Sequence, residues 1–325
     1  MKKYRSRIYV FVYVLCAVVL ILQTQTTIIA IREAIMLCIE TVIPSLLPFI
    51  ILTLLFGPKI SLKNVSVLAF LAGYPVGAQT VCNAYRYGTV RKEDAENMLS
   101  YINNAGPAFI FGIAGSLFTN KLIPWIIWGI QILSAVCVKA IFCRVKPIHS
   151  LTKKNKMLSV REIAVNSVQT MGCICFWIVV FRVIIRFLEG WILFRLNPVV
   201  QILIKGFLEL TNGCIDTRNI NIESIRFILI TTLITSGGLC VTLQTLSLTG
   251  AVRPHMYFPG KIIQTVLSFG FAYMIHFLLF EEKVYLTPVF LAIITVLSTT
   301  SVILIKKHKI TMEKPRRILY NQEKV

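Results

Sequence analysis

Long apolar runs alternate with short polar breaks along most of the chain. Residues 8–22 are apolar after a basic start. They are followed by Gln23-Thr24-Gln25-Thr26-Thr27 with no small-x-small cleavage pattern, so residues 1–27 read as an uncleaved first span. Residues 28–57 are apolar but carry Arg32, Glu33 and Glu40 early and Pro44 and Pro48 later. This pattern predicts an interfacial or tilted helix and then a proline-kinked entry into a bilayer. Residues 62–84 hold Gly73-Tyr74-Pro75-Val76-Gly77-Ala78 at their centre. Proline removes a backbone donor and glycine lowers the cost of unwinding, so two half-helices are expected. Lys92-Glu93-Asp94-Ala95-Glu96 opens an amphipathic helix with acids at its positive end. Asn103-Asn104-Ala105-Gly106-Pro107 stops it near Ile102, and Pro107 then suits the first position of a new apolar helix. Residues 122–142 read as an ordinary span, with Trp125 and Trp128 as interfacial anchors.

Arg144, Lys146, Lys153, Lys154, Lys156 and Arg161 mark a basic linker over residues 144–160 and its edge. Beyond it the pattern partly repeats. Arg161-Glu162 restarts an amphipathic stretch, and residues 173–187 are apolar with Arg182 and Arg186 on one helical face. Residues 199–210 lead into the break Glu209-Leu210-Thr211-Asn212-Gly213. Residues 222–234 lead into Thr235-Ser236-Gly237-Gly238, and a fresh helix over 239–248 contains Gln244. Residues 261–280 and 286–305 are further spans, and 306–325 form a basic tail. Arg32-Glu33 and Arg161-Glu162 lie 129 positions apart, and Ala105-Gly106 and Ser236-Gly237 lie 131 apart. Two duplicated units, 28–143 and 161–283, are therefore expected.

The composition fits a bilayer: 56% of the 325 residues are hydrophobic and the mean hydropathy is +0.75. Apolar stretches recur too often for a soluble protein of this size. The net charge of +20 collects in loops and tails, where it sets topology and meets anionic headgroups rather than nucleic acid. Placing the three basic regions in the cytoplasm gives cytoplasmic N- and C-termini and opposite orientations for the two units. The fold class expected is an all-α multi-pass membrane protein. It comprises two inverted-topology repeats with broken or re-entrant helices and one extra span at each end. Nine cysteines occur without a CxxC pair, beside only four histidines, so no metal site is expected. No cofactor is implied, because there is no Walker A loop and no GxGxxG following a strand.

In hydrocarbon, a broken helix leaves N–H and C=O groups that only protein or a water-filled cavity can satisfy. The helix-break residues Gly73, Pro75, Gly77, Gly106, Pro107, Gly237 and Gly238 thus point to an internal polar site. Asn103 and Asn104 stand at the start of a helix, where free N–H groups suit a carboxylate, phosphate or sugar hydroxyl. Ser236 offers the same chemistry from the second unit, while Glu209 and Asn212 offer acceptors for an amine, a hydroxyl, a proton or sodium. Tyr74, Gln79 and Gln244 complete the candidate set. The competing reading is that these side chains only cap broken helices. Arg182 and Arg186 either snorkel, pair with Glu189 or Glu209, or meet an anion. His276 reads as a packed interior residue. Ser236 with His276 is a loose counterpart of an intramembrane serine protease, but Ile234 stands where the preceding glycine is needed, and no enzyme activity is expected.

Three groups of residues carry a family resemblance. They are Phe70-Leu71-Ala72-Gly73-Tyr74-Pro75-Val76-Gly77-Ala78, Glu93-x-x-Glu96-x-x-Leu99, and Asn103-Asn104-Ala105-Gly106-Pro107-Ala108-Phe109-Ile110-x-Gly112. Together they resemble the YlbJ-type sporulation integral membrane proteins of the wider nucleoside recognition, or Gate-domain, group. Gly237-Gly238-Leu239-x-Val241-x-x-Gln244 and Tyr257-x-x-x-Lys261 are similar to that family's second half. The resemblance spans roughly residues 32–280, with Ala105 standing where serine is expected and with a short linker. It implies a bacterial cell-membrane protein of spore formation, related to nucleoside transporters. Two functions are then in play. One is a transporter or gate for a small polar solute, with a coupling ion. The other is a non-transporting partner of other sporulation membrane proteins in envelope assembly.

Overall fold

A computed structural model describes residues 2–56, 62–142 and 158–281. The expected last span, the basic tail and most of the basic linker lie outside the described residues. Among the described residues the protein is all helical. Five helical runs are long and apolar enough to cross a membrane: Thr24–Phe56, Ile123–Phe142, Val160–Trp191, Glu223–Thr249 and Pro254–Leu279.

The chain begins with α1 (Lys2–Leu22), α2 (Thr24–Leu37), a π-turn at Cys38–Val42, and α3 (Ile43–Phe56). Here the structure departs from the expected interfacial helix and separate kinked entry, because α2, the π-turn and α3 form one uninterrupted helical run. Pro44 has no N–H to give the Glu40 carbonyl. A wider turn absorbs the defect, with Ile43 N–H reaching back to Cys38 O. The small residues Ala30 and Ala34 bury one face of α2, which packs against the later helix Val160–Trp191.

Next come α4 (Leu62–Ala72) and α5 (Val76–Arg86), then α6 (Lys92–Ile102), α7 (Pro107–Leu117) and α8 (Ile123–Phe142). Gly77 comes back against Ala69, so α4 and α5 form a short hairpin. A single long helix, α9 (Val160–Trp191), follows the linker. Ser159 and Glu162 close a reciprocal capping box at its start, which satisfies two otherwise orphaned donors. The hairpin α10 (Pro198–Leu208) and α11 (Leu210–Asp216) folds back so closely that Gly213 meets Gly206. The broken pair α12 (Glu223–Ser236) and α13 (Gly238–Thr249) follows, and α14 (Tyr257–Leu279) ends the described chain.

Both halves thus run in the same order: long helix, short hairpin, broken helix, span. Contacts between the halves are reciprocal, since α5 packs on α13 and α7 on α11, while α6 packs on α14 and α12 on α8. The buried apolar groups fall into three clusters. One gathers Tyr74, Ile110, Ile127, Phe227 and Ile234. A second gathers Val81, Leu99, Ile102 and Tyr257, and the third gathers Ala34, Ile50, Ile174 and Cys240. Break residues belong to all three, with Tyr74 and Ala105 in the first, Ala78 in the second and Val76 in the third.

Candidate polar site at the helix breaks

Glycine lets the breaks touch backbone to backbone. Gly73 has φ +75°, and a Cβ there would fall 2.4 Å from Gly106 N, so only glycine fits. In the second half, a Cβ on Gly238 would fall 2.8 Å from Gly206 O. Each hairpin is thereby pressed against the broken helix of its own half. Across the first contact, Tyr74 N–H donates to Asn104 O at 2.6 Å. The Tyr74 hydroxyl reaches the other half, donating to Ile234 O at 3.3 Å near the end of α12.

Around this junction lies a connected set of buried polar groups. Asn104 donates from Nδ2 to Tyr101 O at 2.6 Å and accepts at Oδ1 from Gln264 Nε2 at 2.6 Å. Gln131, its amide turned to suit its neighbours, donates to Ala105 O at 3.2 Å and accepts from Ala105 N–H at 2.8 Å. These two amides restore partners to the backbone that the break unwinds. Lys261, one turn into α14, donates to Thr235 O at 3.0 Å, Gln264 Oε1 at 3.3 Å and Asn104 Oδ1 at 3.4 Å. Its ammonium also lies 5.9 Å from the Tyr74 ring centroid, within cation–π range. Thr235 Oγ1 and Ser268 Oγ sit 2.7 Å apart beside it. Lys261 is 7% exposed, and no carboxylate among the described residues comes within ion-pair distance.

Asn103 is 1% exposed and donates to Thr245 Oγ1 at 2.8 Å and to Tyr257 O–H at 3.5 Å.

Glu209 and Asn212 stand apart in a charged cluster on the second hairpin. The Glu209 carboxylate caps α11, accepting from Thr211 N at 3.0 Å, Asn212 N at 2.9 Å and Asn212 Nδ2 at 2.5 Å. Arg182 donates to Asn212 Oδ1 and pairs with Glu33 of α2 at 2.6 Å. Lys205 bridges Glu189 of α9 at 2.6 Å and Asp216 at 2.7 Å, and Arg186 pairs with Glu189 at 3.3 Å. Both arginines are therefore held in pairs, and the carboxylate on Arg182 is Glu33 rather than Glu189 or Glu209.

The other sequence candidates are dispersed. Gln79 donates to Thr170 of α9 at 2.7 Å, and Gln244 donates to Ile174 O at 3.2 Å. Ser236 turns its hydroxyl back to Leu233 O at 2.8 Å, and His276 is buried against Tyr273. Tyr74, Asn103 and Asn104 are brought together, whereas Gln79 and Gln244 bond to α9, and Glu209 and Asn212 bond to each other and, through Asn212, to Arg182. Sequence reasoning missed Lys261, Gln264 and Gln131. Their signal was present, since each is a strongly polar side chain inside an apolar run. No family model, no curated protein and no solved structure matches this chain.

Proposed function

We propose that the protein is a membrane transporter or gate for a small polar solute, held where the α6–α7 break meets α12 and α14. The observation that carries this reading is Lys261. A buried ammonium in a bilayer costs several kcal/mol unless it is paired. Its three protein partners are neutral acceptors, so an anionic or acceptor-rich group on the solute supplies the counter-charge they lack. The matching order of elements in the two halves supports an inverted duplication. So do the paired glycine contacts, Gly73 with Gly106 and Gly206 with Gly238. That architecture and the clustering of basic residues support cytoplasmic termini. The YlbJ-type motifs support assignment to a bacterial cell membrane during spore formation.

A second reading draws on Asn104 and Gln131. Both amides are engaged in capping the break, as expected of a scaffold that partners other sporulation membrane proteins and carries no solute.

The test is a thermal-stability screen of the purified chain in detergent against nucleosides, nucleobases, amino acids, organic acids and phosphate compounds. A ligand at about 100 times its Kd adds roughly 2.7 kcal/mol to the folded state. The expected result is at least one hit that is lost in a folded Lys261→Met variant. A panel with no hits on well-folded protein would overturn the solute reading in favour of the scaffold.

A further inference from the structure

The hydrogen-bond directions around Asn103 form a chain whose end is open. Thr245 gives its hydroxyl proton to Val241 O at 2.8 Å, so toward Asn103 it can only accept. Thr242 gives its proton to Gly238 O at 2.8 Å, so the Tyr257 hydroxyl at 3.4 Å donates to it. Tyr257 then has only a lone pair left for Asn103. Both neighbours of the Asn103 amide accept, and this fixes Nδ2 toward them. Oδ1 points the other way and has no partner among the described residues, although the residue is 1% exposed. A buried amide oxygen without a donor costs about 1–3 kcal/mol.

We propose that Asn103 Oδ1 is the acceptor pole of the solute site, and that the solute presents an N–H or O–H donor to it. The inference rests on the solute reading above and narrows it. Tyr257, which touches Asn103, lies one helical turn before Lys261 on α14. Asn103 adjoins Asn104, whose Oδ1 accepts from Lys261 at 3.4 Å, so one small solute carries both the donor and the acceptor or anionic group. A hydroxy acid, an amino acid or a hydroxylated phosphate ester meets both demands. The same molecule without its hydroxyl or amine leaves Asn103 Oδ1 unpaired. A site built to bond a donor rejects an analogue that lacks one more strongly than an apolar pocket rejects a size change.

The experiment measures binding to the purified full-length chain by thermal shift and calorimetry, using matched pairs: lactate with propionate, malate with succinate, and glycerol 3-phosphate with propyl phosphate. In at least one pair the hydroxylated member should bind about 5- to 100-fold more tightly. Asn103→Leu should erase that preference and leave the affinity of the member without the hydroxyl within about threefold of its original value. If Asn103→Leu does not fold, Asn103→Ala is measured in its place, with the same expected loss of preference. Equal binding of both members overturns the donor requirement and leaves the Lys261 site standing. A preference that survives in folded Asn103→Leu removes Asn103 from the role. If no member of any pair binds, the donor requirement falls, and the solute reading is decided separately by the wider panel.

Discussion

Gly260→Ala isolates how closely α14 must approach α6. A Cβ at Gly260 would lie 2.2 Å from Ser100 O and 2.6 Å from Ser100 Cα. The obstacle is backbone, so no side chain can turn aside. Restoring ordinary contact moves the helices apart by about 1 Å, because packed interiors have no slack to absorb it. Gln264 and Lys261 follow on the same helix. A shift of that size stretches the 2.6 Å bond from Gln264 to Asn104 past hydrogen-bonding range and loosens the 3.4 Å contact from Lys261. Leaving those buried groups poorly paired, together with overpacking, should cost about 2–4 kcal/mol. For a chain of this size that corresponds to a Tm lower by roughly 3–6 °C. The assay is thermal unfolding in detergent, followed by intrinsic fluorescence. Gly129→Ala serves as the control, because an added methyl there meets nothing within 4 Å. A Tm for Gly260→Ala within 1 °C of the control would refute the claim that this contact sets the polar site.

Lys205→Met leaves Glu189 and Asp216 short of a cation in a partly buried position. Stability measured by denaturant titration should fall by about 2–4 kcal/mol, and a loss under 0.5 kcal/mol would show the bridge to be idle. The Glu33–Arg182 pair is half open, with Glu33 38% exposed at its side chain. A double-mutant cycle of Glu33→Gln and Arg182→Gln should give a coupling of about 0.5–1.5 kcal/mol, and strict additivity would deny the pair any role. Tyr74→Phe removes one long bond to Ile234 O and should cost no more than about 1 kcal/mol, read as a small Tm shift. A drop several times larger would mean the hydroxyl holds more than that carbonyl.

The breaks were legible because glycine, proline and asparagine act locally. Gly73 and Pro75 end α4 and start α5, and Pro107 begins α7 at the position where its missing N–H is harmless. The long first helix was not legible. Arg32, Glu33 and Glu40 read as interruptions of an apolar run, yet Glu33 pairs with Arg182, 149 positions away. Such a partner exists only once α2 lies on α9. Lys261 entered only through the Tyr257-x-x-x-Lys261 motif and as the first residue of the expected span over 261–280. The turn at Pro254–Met256 starts the helix earlier, so Lys261 sits one turn inside and Asn104 of the other half comes to meet it. The pattern of apolar residues marks an element; the fate of a polar residue within it depends on which neighbour arrives.

The two hairpins hold equivalent places in their halves but are fastened to α9 by different chemistry. Hairpin α10–α11 is tied by the ion pair from Lys205 to Glu189 and by the charge-assisted bond from Arg182 to Asn212. Hairpin α4–α5 is joined to the same helix by the neutral bond from Gln79 to Thr170. Gln79 Oε1 has no partner among the described residues. Separating charged partners in a low-dielectric interior costs several kcal/mol unless water reaches both, whereas a neutral hydrogen bond contributes about 1 kcal/mol. Pulling α10–α11 from α9 is therefore the more costly movement. Parting α4–α5 from α9 breaks a weaker bond there, although the first hairpin is held as well by Tyr74 on Asn104 and Ile234 and by the backbone contact of Gly73 with Gly106.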